Sequence, residues 1–149
     1  MNEDIQNLLQ HGEITLATIS KRATAFFVDE MLLSFLLVVA LWDSFATATT
    51  VEEMMSITNT FILQYMFIKI VYQAFFVMQY GASLGKIMMK IRVIEVQTMQ
   101  NPGFASALNR AVFRIVSETF FYLGFIWGFF DPFRQTLHDK TARTLVINA

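Results

Sequence analysis

Residues 25–42 read AFFVDEMLLSFLLVVALW, residues 57–80 read ITNTFILQYMFIKIVYQAFFVMQY, and residues 105–133 read ASALNRAVFRIVSETFFYLGFIWGFFDPF. These three blocks decide the fold class. The first two are each close to, or above, the ~20 residues that carry a helix across ~30 Å of hydrocarbon. They also explain the composition: 55% of the 149 residues are hydrophobic and 15% are charged, where a soluble domain carries about one-quarter charged residues. A soluble globular enzyme is therefore disfavoured, and the length suits one membrane domain, residues 1–149. The 16 Phe and nine Met suit irregular apolar packing.

The segments between the blocks set the expected orientation. Lys21 and Arg22 precede the first block, while Asp43, Glu52 and Glu53 follow it. The 81–104 connector carries Lys86, Lys90 and Arg92. By the positive-inside rule, the N-terminal segment 1–24 and this connector are expected in the cytoplasm. The first residues, MNEDIQNLL, open with acids and lack the basic start of a secretory signal. Ile5, Leu8 and Leu9 have helical spacing before Gly12. They predict either a short amphipathic helix near the membrane surface or a frayed tail.

The third block is harder to read. A single span would put the 134–149 tail outside, yet that tail carries Arg134, Lys140 and Arg143. Residues 92–98 (RVIEVQT) and 144–148 (TLVIN) both read as short strands. Pairing them needs connector and tail on one side. Residues 105–133 give ~43 Å of helix, short of the ~60 Å that two crossings need. The expected fold is all-α in the membrane: two full spans, a third broken or re-entrant helical segment, and a small cytoplasmic β pairing. The legs are placed near 105–118 and 123–130, with Gly124 and Gly128 as bend points. One ordinary third span is the alternative. Asn101-Pro102-Gly103 reads as a turn, with Ser106 as a helix cap.

Charges inside apolar segments are costly and therefore informative. Asp29 and Glu30 lie inside the first block, ~6–8 Å deep at helical rise. Lys69 lies inside the second, and a pairing of Asp29 with Lys69, direct or through water, is expected. Arg22 is two turns before Asp29 on the same face. Arg110, Arg114 and Glu118 follow i, i+4, i+8 spacing and form one polar stripe. That stripe faces either the protein interior or lipid phosphates at the surface. Gly85-Lys86 sits in a loop that could present N–H groups and an ammonium to an anion, although it lacks phosphate-loop spacing. His138-Asp139 suits acid–base or metal chemistry, against a plain structural role. Too few ligands accompany the pair to predict a metal. No cysteine is present, which excludes disulfides and thiolate sites. No cofactor, catalytic centre or nucleic-acid partner is expected at a net charge of −1.

In combination, these motifs resemble the RDD family of small bacterial membrane proteins, named for one Arg and two Asp. Lys21-Arg22-Ala23 followed by Asp29 is similar to the family's first span. Ser83-Leu84-Gly85-Lys86 through Ile91-Arg92-Val93 is similar to its connector. Asn109-Arg110 with Arg114 is similar to the opening of its third block. Arg134 through Lys140, with Thr144-Leu145-Val146, is similar to its closing motif. The resemblance runs from about residue 19 to 147. Lys90 stands where the family often has Gly, and Lys69 and Glu118 are not family hallmarks. The resemblance implies an integral membrane protein, some of whose relatives are linked to sodium/proton exchange. Two functions follow as expectations. One is ion or small-solute transport by an oligomer, with Asp29, Glu30, Lys69 and Glu118 as a relay. The other is a non-transporting accessory protein that binds a membrane partner or anionic lipid headgroups. Arg22, Asp29, Lys86, Arg110 and Asp139 also suit a network that pins the blocks together.

Overall fold

The computed structural model describes residues 2–149. The chain is mostly helical, and its elements follow the three blocks. Helix α1 (Asn2–Gln10) precedes α2 (Ile19–Ala40), which a short α3 (Trp42–Thr47) links to α4 (Val51–Tyr80). Then come α5 (Leu84–Met88), strand β1 (Ile91–Glu95), α6 (Phe104–Thr119), α7 (Leu123–Phe130), α8 (Leu137–Thr141) and strand β2 (Thr144–Asn148). Helices α2 and α4 are both long and apolar enough to cross a membrane. Each starts outside its apolar block because of a cap. Thr18 accepts from the Lys21 amide at 3.3 Å, and Thr50 forms a capping box with Glu53.

The third block breaks, with α6 and α7 meeting at 104°. Its legs match the expected ones, but the break does not fall at the glycines. It falls at Phe120–Tyr122, where Phe121 and Tyr122 take positive φ of 54° and 61°. The Tyr122 amide donates to the Ser117 carbonyl at 2.8 Å and closes the turn. Gly124 and Gly128 lie within α7 and are buried. A Cβ at Gly124 would sit 2.1 Å from the Ser117 hydroxyl, and one at Gly128 would sit 3.2 Å from Thr136. These glycines permit contact, not bending. Ser106 is not a cap either. Gly103 holds that position, and the Ser106 hydroxyl donates to Glu95 at 3.0 Å.

Strands β1 and β2 pair antiparallel, with Ile91 opposite Asn148 and Glu95 opposite Thr144. This brings connector and tail together at the two ends of the bent block. Both faces of the pair are covered, in the period-2 pattern of a strand. Ile91, Val93 and Val146 pack with Ala17, Ala25, Val77 and Ala107 of the bundle. Ile94, Leu145 and Ile147 pack with Ile5, Ile14 and Phe133. Helix α1 is thus not a frayed tail: Ile5 is fully buried against the sheet, with Leu8 and Leu9 beside it.

The bundle is arranged inside out. In α2 the buried residues are Ala25, Asp29 and Leu33, and in α4 they are Lys69, Gln73 and Val77. Both sets follow i, i+4, i+8, one stripe down a helix. In α6 the buried face holds Ala107, Arg110, Ala111, Arg114 and Ser117. Large apolar side chains such as Phe27, Phe35, Leu63, Phe67 and Val112 point outward. A polar interior within an apolar exterior is the arrangement expected when hydrocarbon is the solvent.

Candidate functional site

The inward stripes converge on three linked charge centres. The first is Asp29, 1% exposed. It accepts from the Ser83 hydroxyl at 2.6 Å, the Gly85 amide at 2.8 Å and the Tyr72 hydroxyl at 2.8 Å. The Gln73 amide lies at 3.4 Å, and the Arg114 guanidinium is 3.9 Å away. Gly85 is needed here, because a Cβ would sit 2.1 Å from the Ala25 carbonyl. Without that side chain the connector reaches α2 closely enough for its amide to meet Asp29. The direct form of the expected Asp29–Lys69 pair is not made. Asp29 turns toward the connector, and Lys69 meets its neighbour Glu30 instead.

The second centre holds Lys69, Glu30, Glu118 and Arg114. Lys69 is paired with Glu30 at 2.9 Å and with Glu118. Arg114 reaches the same two carboxylates, at 3.3 Å and 3.2 Å. Two cations and two anions close a ring across α2, α4 and α6. Arg114 also stacks over Phe26, 4.8 Å from the ring centroid.

The third centre is Asp139, fully buried and bridged by Arg22 and Arg110. It also accepts from the Thr136 amide at 3.0 Å and hydroxyl at 2.8 Å. Burial alone would raise its pKa, but the Arg22 and Arg110 guanidiniums hold it well below the usual carboxylate range. Arg22 further donates to the Arg134 carbonyl and to Thr136, while Arg110 reaches Thr144. The tail is thereby tied to α2 and α6. His138 beside it is 4% exposed, with one ring nitrogen 3.0 Å from Thr136. Its Nδ1 has no hydrogen-bond partner among the described residues. Burial drives the imidazole pKa well below its ordinary value, so the ring is neutral.

Between these centres lies a cavity of about 230 Å³. Its charged lining is Arg22, Asp29, Lys86, Arg110, Arg114 and Arg134, and its apolar lining includes Phe26, Phe125 and Phe129. Lys86 is 9% exposed. Desolvation, then the charges of Arg110 and Arg114, lower its pKa from 10.5 to about 7. All ten residues singled out by sequence thus meet in this one region. Glu30 completes the ring, whereas Tyr72, Gln73, Ser83, Thr136 and Arg134 were not read as parts of the site. Gln73 carried a signal, lying one helical turn from Lys69 on the same face. Tyr72 carried none. Among the described residues no group of three His, Cys, Asp or Glu is placed to hold a metal.

Two spanning helices, a bent third segment and charge centres enclosed by apolar faces define a helical membrane protein. The chain belongs to the RDD family, whose model matches residues 16–143. Over 67 residues it is 36% identical to the proline-rich antigen of Mycobacterium leprae, covering 45% of this chain and 27% of that protein. It is 31% identical over 67 residues to the proline-rich antigen homolog of Mycobacterium tuberculosis, covering 45% of this chain and 28% of that one. The chain thus matches about a quarter of the length of these curated relatives. No solved structure matches it significantly.

Proposed function

We propose that this RDD protein binds an ion or small charged solute in the cavity between its charge centres and moves it across a bacterial inner membrane as an oligomer. The supporting observation is the cavity itself, lined by Arg22, Asp29, Lys86, Arg110 and Arg114 inside an apolar shell. Ionisable groups kept within a membrane fold mark a solute path unless they serve only to fix the fold. One chain encloses little path, so the remainder is assigned to a second copy. The proposed activity is binding and movement of a solute, with no chemical step assigned to the chain. Orientation is argued from Lys21 and Arg22 before α2 and from the basic connector and tail, which are assigned to the cytoplasm with the sheet between them.

Purified oligomer in liposomes tests the transport reading. Flux driven by a sodium, pH or anion gradient, and lost in Arg114→Leu, is the expected result. No flux of any of these from a verified oligomer overturns it. Orientation is tested separately with a single Cys at Ala149 in this cysteine-free chain. Labelling by an impermeant thiol reagent from outside intact cells overturns it.

A second reading, an accessory protein that binds a membrane partner or anionic lipid, is favoured by one observation. Asp29 and Asp139 are saturated with donors from the connector and tail, as fold-pinning residues would be. One stable co-purifying partner, with no flux, supports it.

A further inference from the structure

The charges around the cavity do not balance. Six cationic side chains, Arg22, Lys69, Lys86, Arg110, Arg114 and Arg134, meet four carboxylates, Asp29, Glu30, Glu118 and Asp139. The carboxylates are spoken for. Asp139 is shared by Arg22 and Arg110, and Glu30 and Glu118 are shared by Lys69 and Arg114. Asp29 is held chiefly by neutral donors. Among the described residues, the Arg134 guanidinium donates only to the Ala17 carbonyl, at 3.3 Å. Lys86 lines the cavity and makes no hydrogen bond or ion pair with any described residue. The charge of Asp29 offsets only part of the burial and of the repulsion from Arg110 and Arg114; a cation buried without a bonded counter-charge is costly, and a nearly dehydrated ammonium beside guanidiniums attracts one class of ligand.

We propose that the cavity is a binding site for a phosphate- or sulfate-type oxyanion, seated on Lys86 with Arg114 and Arg134 around it. The inference rests on the cavity being the functional chamber and names the chemistry of its occupant. Guanidinium groups match the paired oxygens of such anions, and the ammonium adds a point charge. The apolar lining from Phe26, Phe125 and Phe129 leaves room for an oxyanion carried on an acyl-linked headgroup as well as a free one. Binding also has a proton signature. Lys86 feels the charges of Arg22 and Asp29 from α2 and of Arg110 and Arg114 from α6, and shares the cavity lining with Arg134 and with His138 of α8; Arg92 of β1 is exposed. In the empty cavity it releases its proton near pH 7. A bound anion restores the charged form, so binding above that pH takes up a proton at Lys86.

The test is calorimetric titration of the full chain in non-ionic detergent, run in buffers of different ionisation enthalpy. The probes are sodium sulfate, which does not titrate in this range, and a short-chain phosphatidylglycerol. Sodium chloride at matched ionic strength and a short-chain diacylglycerol are the controls. The expected result is saturable binding of at least one probe, with uptake of close to one proton at about pH 8. Affinity falls by up to about tenfold per pH unit above pH 7. Lys86→Met weakens binding at least tenfold and abolishes proton uptake. Lys86→Arg keeps the affinity within a few-fold but loses the pH dependence, which separates a missing ligand from a damaged fold. Sulfate binding alone identifies a free anion, phosphatidylglycerol alone identifies a headgroup, and mutual competition identifies one site open to both. Binding no stronger than the controls, or equal binding by wild type and Lys86→Met, overturns the inference. Cation flux without anion binding sinks it but leaves the transport reading standing, whereas Lys86-dependent binding without flux does the reverse.

Discussion

Asp29 and Asp139 are buried to the same degree by different means. Asp139 is held by charge, with two guanidiniums on one carboxylate. Asp29 is held by dipoles, with two hydroxyls and a backbone amide at 2.6–2.8 Å and its nearest guanidinium at 3.9 Å. Each ties a segment outside the spans to α2 and a second long helix: Asp139 fastens the tail, and Asp29 the connector. The two anchors differ in what their loss leaves behind. Without Asp139, two cations are stranded. Without Asp29, neutral donors remain, for which water can substitute.

The largest expected effect therefore lies at Asp139. Asp139→Leu leaves Arg22 and Arg110 facing each other without an anion, and breaking a buried pair in this way costs ~3–5 kcal/mol. The expected outcome is little or no monodisperse protein by size-exclusion in detergent. Asp29→Asn is the milder break. It keeps one acceptor for Ser83 or Gly85 and turns an amide toward the remaining donors, a cost of ~2–3 kcal/mol. Unfolding in a denaturing detergent should show it folded but measurably weaker. If Asp29→Asn proves the more damaging, the comparison is wrong and Asp29 carries more of the fold than its neutral partners suggest.

Gly85→Ala sharpens the same comparison from the backbone side. Its Cβ would lie 2.1 Å from the Ala25 carbonyl, which is backbone and cannot swing aside, and 2.9 Å from the Asp29 carboxylate. The connector must back off, and the Gly85 amide leaves Asp29. Overpacking of this kind costs ~1–3 kcal/mol. Faster amide exchange at residues 83–88, with exchange in 137–141 unchanged, is the expected readout. Loss of protection in both segments would show that the anchors are not independent.

How far this was legible from sequence depends on the kind of information needed. The legs of the third block could be read because a basic tail and two strand-like runs demand a return. The buried polar residues could be read because charge inside apolar runs is costly wherever it appears. Partner choice could not. Depth along an axis follows from residue number, but the direction a side chain faces does not follow until the helices are packed. Asp29 and Glu30 differ by about 100° around α2, and that rotation sends one to the connector and the other to Lys69. The break was hidden for a different reason. Phe121 and Tyr122 adopt a conformation that non-glycine residues rarely take, and the glycines next to them serve contact instead. Arg134 and Ser83 stood inside recognised motifs, but nothing in one sequence says which of them meets the cavity.

Lys86 gives the smallest effect and the finest contrast, because it is bonded to neither anchor and Asp29 offsets only part of the cost of its burial. Its pKa is about 7 in the folded chain and 10.5 when unfolded. Between those values the unfolded state binds more protons, so stability rises with pH across that window. Below about pH 7 both states are charged, and the full penalty of burying the ammonium is present. Lys86→Met removes the titration and fills similar volume with an apolar chain. In anion-free detergent solution it should therefore be more stable than wild type at pH 6, and the difference should shrink steadily as the pH is raised toward 10. Thermal unfolding of the two proteins across that range is the measurement. A constant offset would mean that Lys86 is already compensated in the empty cavity, and that the surplus positive charge lies elsewhere, with Arg134 as the next residue to replace.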